Sequence, residues 1–288
     1  MVQRMTDRTA VVTDSTACLP EQAAAEAAVH IVPLQVVIGV NSYTEGTPEA
    51  CTHLLDALRR RQPASTSRPA PEQFAAQYRA LADAGATGIV SVHLSGDLSA
   101  TYESALLAAA DAPVPVEVVD SRSVGMGLGF AALAAGRAAL DGQSLAVCAD
   151  VAAKRAAHTS AFFYVDTLEQ LREGGRIGPA AAVFGSALAV KPLLYLVDGR
   201  VELLEKVRTS ARAIARLEQL VLERAGVDRV DVAVHHLASL PRAELLVEKL
   251  RSQLPGLGEL TIGEVGAVLG AHVGLGLLAV VVSPRFTY

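Results

Sequence analysis

An Asp198-Gly199 dipeptide between two apolar-rich runs, Leu193 to Val197 and Val201 to Val207, does most to limit the folds open to this chain. The pair suits the positive φ angles of a two-residue turn, so the two runs predict an antiparallel hairpin. Much of the rest alternates strand with helix, the pattern of a parallel sheet covered on both faces. A hairpin placed beside βα units requires a mixed sheet.

Along the chain, Thr9 to Thr13 reads as a buried strand, followed by a turn at Asp14-Ser15-Thr16, a helix from near Pro20 and a strand from Ile31 to Ile38. Helices near Pro48 to Arg61, Pro71 to Asp83 and Ser99 to Asp111 alternate with strands at Thr87 to His93 and Val116 to Val119. A polar, Ala-rich helix around Gln143 to His158 is expected to join two domains, residues 1–155 and 156–288. Two cores are the commoner solution at this length. The second half adds helices at Ser210 to Ala225 and Arg242 to Gln253, with strands at Val230 to His235, Leu257 to Val265 and Leu277 to Ser283. The expected fold is α/β, with a Rossmann-like parallel-sheet domain followed by a mixed-sheet α/β domain.

Composition narrows the function. Apolar residues make up 51% of the chain and mean hydropathy is +0.34, yet no uncharged apolar run approaches the ~18 residues that would span a bilayer. The excess belongs in buried strands and Ala-rich helices. Met1 to Arg8 carries no apolar signal region, which predicts a cytoplasmic protein. Cys18, Cys51 and Cys148 are far apart and lack C-x-x-C spacing, so neither a disulfide framework nor a zinc site is expected. A net charge of -5, with Arg59-Arg60-Arg61 as the one basic cluster, opposes nucleic-acid binding. With no Trp and 4% aromatic residues, an apolar ligand would meet aliphatic walls. There is no G-x-x-x-x-G-K-[ST] loop and no H-E-x-x-H pair, so a P-loop ATP site and a metal centre are not expected.

Several segments could carry chemistry, and each also has a structural explanation. Thr13-Asp14-Ser15-Thr16 follows a strand at the sheet edge where open α/β folds bind ligands, but Ser, Thr and Asp also cap helices. Thr66 and Ser67 offer two hydroxyls in an extended loop stiffened by Pro69 and Pro71, or a solvated turn. Ser95 and Ser99 sit where a strand gives way to a helix, and unpaired N–H groups there favour a carboxylate or phosphate. Asp97 could instead act as the cap. Gly125-Met126-Gly127-Leu128-Gly129 lacks the spacing of a dinucleotide fingerprint and fits tight helix packing better. His272, flanked by Gly270 and Gly274 before a buried strand, could donate a hydrogen bond to a carboxylate. Gly174-Gly175-Arg176-Ile177 ends a helix at a left-handed turn and is expected to launch a second short helix. Arg176 there could clamp an anion or bind carbonyls at the helix end. Lys206 and Arg208 share one face of the hairpin strand, while Val207 takes the other.

Taken in order, Thr13-Asp14-Ser15, Thr66-Ser67-Arg68-Pro69, Leu98-Ser99-Ala100-Thr101-Tyr102, Val119-Asp120-Ser121, Gly174-Gly175-Arg176-Ile177, Lys206-Val207-Arg208-Thr209 and Ala271-His272-Val273-Gly274 resemble the pattern of the DegV family from end to end. The resemblance implies a protein that binds a long-chain fatty acid between two α/β domains and presents it to a separate ATP-dependent fatty-acid kinase, which makes an acyl phosphate. It implies a lipid-binding subunit of phospholipid metabolism with no catalysis and no cofactor of its own. Thr66, Ser67, Ser95, Ser99 and His272 would then bind the carboxylate, and Arg208 and Arg176 would lie at the kinase-facing mouth. The chain departs from the usual pattern at Arg68, Ala100 and Leu275. The alternative is an esterase or thioesterase with Ser99 as nucleophile, His272 as base and Asp120 as the orienting carboxylate, although the serine lacks a G-x-S-x-G elbow. A purely structural or regulatory role, with no lipid bound, is the third possibility.

Overall fold

The computed structural model describes residues 8–177 and 191–286, which form two compact units. Among the described residues, the first comprises residues 8–34 and 68–157, the second residues 35–67, 158–177 and 191–286. Residues 35–67 group with the C-terminal half of the chain. The short helix expected after Gly174-Gly175, and the segment Met1 to Asp7, lie outside the described residues.

The first unit is built on a four-stranded, wholly parallel sheet. Its strands are β1 (Thr9–Asp14), β2 (Val29–Val32), β6 (Gly88–His93) and β7 (Val116–Asp120), in the order β2-β1-β6-β7. All six residues of β6 are buried, as a central parallel strand covered on both faces requires. Helices α3 (Pro71–Asp83) and α4 (Thr101–Ala109) bring Phe74, Tyr78, Leu81, Ala105 and Ala108 against Val12 and Ile89. Helix α5 (Met126–Leu140) is buried nearly all round, and its glycines explain how it comes so close. A Cβ at Gly136 would lie 2.3 Å from the Ala27 carbonyl oxygen, and one at Gly129 would lie 2.8 Å from that of Ala17. The Gly125–Gly129 run thus opens and packs a helix. Helices α1 (Glu21–Glu26) and α6 (Leu145–His158) complete the elements of this part of the chain.

One strand was expected from Ile31 to Ile38, but two are present. Strand β2 ends at Val32, and β3 (Gln35–Ile38) belongs to a different sheet in the second unit. Pro33 lies at the break, where its missing N–H cannot extend a ladder. Strand β3 pairs antiparallel with β4 (Asn41–Thr44) and β5 (Ala64–Ser67), and α2 (Pro48–Arg59) packs Ala50, Leu54 and Ala57 against Val36 and Ile38.

The second unit also holds a six-stranded mixed sheet made of β8 (Ser160–Tyr164), β9 (Lys191–Val197), β10 (Arg200–Val207), β11 (Val230–His236), β12 (Leu257–Glu264) and β13 (Leu278–Pro284), ordered β10-β9-β8-β13-β11-β12. Strands β9 and β10 form the expected hairpin, with Asp198 at φ 49 and Gly199 at φ 80. Helices α8 (Ser210–Ala225) and α9 (Leu240–Gln253) place Leu217, Val221, Leu246 and Leu250 against Val232, Val234 and Val280. Two short helices, α7 (Glu169–Glu173) and α10 (Ala267–Val273), also belong to this unit. Among the described residues no helix is long and apolar enough to cross a membrane.

Candidate functional site

Thr66 was expected in an extended loop, but it sits within strand β5, paired in register with Val36. Strand alternation leaves Ser65 and Ser67 exposed and turns Thr66 to the sheltered face. Ser67 thus presents its hydroxyl to the side opposite Thr66. His272, flanked by Gly270 and Gly274, lies in the last turn of α10. Glycine stands at helical position 270 because a Cβ there would come within 2.6 Å of the Leu54 side chain, and Gly274 ends the helix at φ 74. This arrangement brings His272 Nε2 to 2.9 Å from Thr66 Oγ1.

The Gly174-Gly175 pair has a divided role. Gly175 takes the left-handed turn at φ 68 that closes α7, with the Arg176 N–H donating to the Leu171 carbonyl at 2.9 Å. Gly174 has an ordinary φ of -72, but a Cβ there would lie 2.5 Å from His272 Nδ1. The first glycine is therefore the seat of the imidazole. Arg176 donates to the Gly174 carbonyl, so of its two expected roles the carbonyl-binding one is observed. Burial, and then the nearby Arg176 charge, depress the His272 pKa to about 4. The ring is neutral at physiological pH and meets Thr66 as an uncharged partner.

In the first unit, a polar loop lies at the carboxyl end of β6. The Ser95 carbonyl accepts from the N–H groups of Leu98 and Ser99 at 3.0 and 3.1 Å, while Ser95 Oγ accepts from the Asp97 N–H at 3.2 Å. Ser95 is fully buried and holds the turn, whereas Ser99 is partly exposed and bonds Thr101 Oγ1 at 2.9 Å. Helix α4 begins at Thr101 rather than Ser99, and its N-cap is Ala100, which offers no side-chain acceptor. Asp97 does not cap it and lies 3.8 Å from Arg122 Nη2.

Ser99 bonds Thr101, His272 meets Thr66, and the two Asp120 oxygens accept from the backbone N–H groups of Gly96 and Arg122 at 3.3 and 2.7 Å. Arg208 is exposed just after β10, and exposure alternates along Lys206, Val207 and Arg208 as expected. Among the described residues no group of three or more His, Cys, Asp or Glu side chains could hold a metal ion.

Two features escaped sequence reasoning. Glu45, 6% exposed, accepts from the Val268 N–H at 2.8 Å and so anchors the start of the helix that carries His272. The contact spans 223 positions and leaves no local signature. Asp14 caps the short helical turn at Ser15–Ala17, accepting from the Thr16 N–H. It also belongs to a buried chain running through His93 and Ser91 to Tyr78.

The model of the DegV family of uncharacterised proteins matches residues 8–285. A DegV domain-containing protein of Streptomyces coelicolor is 56% identical over 281 residues, covering 98% of this chain and 100% of the relative. Among solved structures, a fatty-acid-binding DegV family protein from Thermus thermophilus superposes with a TM-score of 0.91 at 31% identity, covering 96% of this chain and 100% of that one. DegV from Bacillus subtilis, a fatty acid binding protein, gives 0.88 at 30% identity over 96% of this chain and 99% of its own. The matched family model and these relatives span nearly the whole sequence, and the chain belongs to the DegV family.

Proposed function

We propose that this protein binds a long-chain fatty acid, with the carboxylate held by Thr66, His272 and Ser99 and the tail in an aliphatic tunnel. The observation that carries this reading is the Thr66–His272 pair, a partly buried hydroxyl facing a neutral imidazole at 2.9 Å. It is supported by the fatty-acid-binding relatives at 31% and 30% identity. A neutral imidazole protonated on Nε2 donates to Thr66 Oγ1 and leaves the hydroxyl proton to point at an incoming carboxylate. Ser99 would supply a second hydroxyl.

The magnitudes divide the work. Burying about fourteen methylenes at ~0.8 kcal/mol each gives roughly 11 kcal/mol before ordering costs. A hydrogen bond to a charged carboxylate adds about 1.5–3 kcal/mol. The tail would set affinity, and the head group would set orientation and the preference for an acid.

The protein would catalyse nothing itself and need no cofactor. It would present the carboxyl end to a separate ATP-dependent kinase in the cytoplasm, where ATP is available, with Arg208 and Arg176 at the mouth. This part of the proposal is what the resemblance to the DegV family implies. A thermal-shift assay on delipidated protein tests the binding step. Oleate at about one hundred times its Kd should add about 2.7 kcal/mol of stability, and no shift with either oleate or palmitate would contradict the reading.

A further inference from the structure

Beneath α3 in the first unit, four polar side chains with no solvent exposure form one chain. Tyr78 donates to Ser91 Oγ at 2.8 Å, Ser91 Oγ lies 2.7 Å from His93 Nε2, and His93 Nδ1 lies 3.0 Å from Asp14 Oδ2. One assignment uses all of these contacts: Ser91 donates to Nε2, and Nδ1–H donates to the carboxylate. The Phe74 ring closes over the imidazole edge-on at 4.9 Å. Asp14 Oδ1 accepts from both the N–H and the hydroxyl of Thr16, and Oδ2 also accepts from the Leu94 N–H at 3.0 Å. A buried carboxylate with this many donors is expensive to place in a core, and apolar residues of similar volume often serve stability as well or better. What the carboxylate adds is position.

Asp14 closes β1 and Leu94 follows the last residue of β6, so the Leu94 contact fixes the point where the chain leaves the sheet. The next residue is Ser95, whose carbonyl and hydroxyl organise the turn leading to Ser99. Two further bonds pin the same exit, Ser95 N–H to the Ser123 carbonyl at 2.9 Å and Ser121 N–H to the His93 carbonyl at 3.0 Å. We propose that Asp14 is a positioning residue for ligand binding: braced by His93, Ser91 and Tyr78, its carboxylate sets the register of the 94–99 loop and hence the aim of the Ser99 hydroxyl at the ligand's carboxylate. The inference rests on the fatty-acid reading above.

The test compares binding of oleate with that of oleyl alcohol, which has the same tail but no carboxylate, by displacement of a fluorescent fatty acid. In Asp14→Asn, oleate affinity should fall about tenfold, the size of one lost hydrogen bond to a charged group, with oleyl alcohol changing by less than about twofold. Tyr78→Phe removes only the far end of the chain, and it decides the matter if Asp14→Asn does not fold. It should weaken oleate about threefold and leave the alcohol unchanged. Equal proportional losses for both ligands would show a general structural role and overturn the proposal, as would full oleate affinity in folded Asp14→Asn. Failure of the unmodified chain to bind either lipid would overturn the fatty-acid reading itself, a different result from either of these.

Discussion

Thr66 and His272, 206 positions apart in sequence, meet at 2.9 Å between Oγ1 and Nε2. Replacing Thr66 with Val keeps the β-branched shape that suits a strand and deletes the hydroxyl. Oleate affinity should fall by about 1.5–3 kcal/mol while oleyl alcohol binding changes little, since the lost bond is to a charged acceptor. Equal weakening of both ligands in a displacement titration would place Thr66 among tail contacts instead.

Gly174→Ala is a sharper probe of the same geometry. The backbone at φ -72 accepts alanine without strain, but the new Cβ would lie 2.5 Å from His272 Nδ1. The imidazole must move away from its seat, and Thr66 then loses its partner. Fatty-acid affinity should drop about tenfold with melting displaced by only a few degrees. Unchanged affinity would mean that the ring position does not matter to the ligand.

Stability should depend on pH in a defined direction. His272 and His235 both have pKa values lowered to about 4, in each case chiefly by burial. The unfolded chain titrates near 6.5 and so binds more protons than the native state between those values. Stability is therefore fully present above about pH 6.5 and is lost as pH falls toward 4. Denaturant titrations from pH 7 to pH 4 should show a loss on the order of a few kcal/mol for the pair, reduced in His272→Gln. A flat profile would show that neither ring is buried in its neutral form.

Gly276→Ala tests a part of the second unit distant in sequence from Thr66. Its φ is 82, and a Cβ would lie 2.0 Å from Asp166 Oδ2, the carboxylate that also binds Lys191 Nζ at 3.2 Å and accepts from the Tyr164 hydroxyl. Left-handed strain and the displaced carboxylate together should destabilise by about 2–4 kcal/mol in equilibrium unfolding. Retention of wild-type stability would refute the close approach.

Much of the frame was legible because it rests on local signals. The Asp198-Gly199 turn, the Ser210–Ala225 helix and the strand–helix alternation of the first half all follow from backbone preference and periodicity. Strand β8 was missed although it pairs with both β9 and β13, because Ser160–Tyr164 is short and directly follows the expected connector helix. The grouping of residues 35–67 with the C-terminal half was also hidden, since only Pro33 marks the point where one expected strand becomes two. For the site, residue types proved easier to foresee than their settings. Thr66 and His272 were singled out, yet their strand and helix depend on Val36, Leu54 and Glu45, which act across long separations. For Asp14 the sequence offers a sheet-edge ligand contact or a cap; its bonds to Leu94 and His93 span about eighty positions, beyond the reach of any local pattern.

The most direct test of fatty-acid binding is solvent extraction of the protein purified from its bacterial host, followed by quantitative mass spectrometry of the released lipid. The account predicts close to one long-chain fatty acid per protein molecule, markedly depleted in the double variant Thr66→Val, Ser99→Ala. Protein that carries no fatty acid, and takes none up when incubated with oleate, would contradict it.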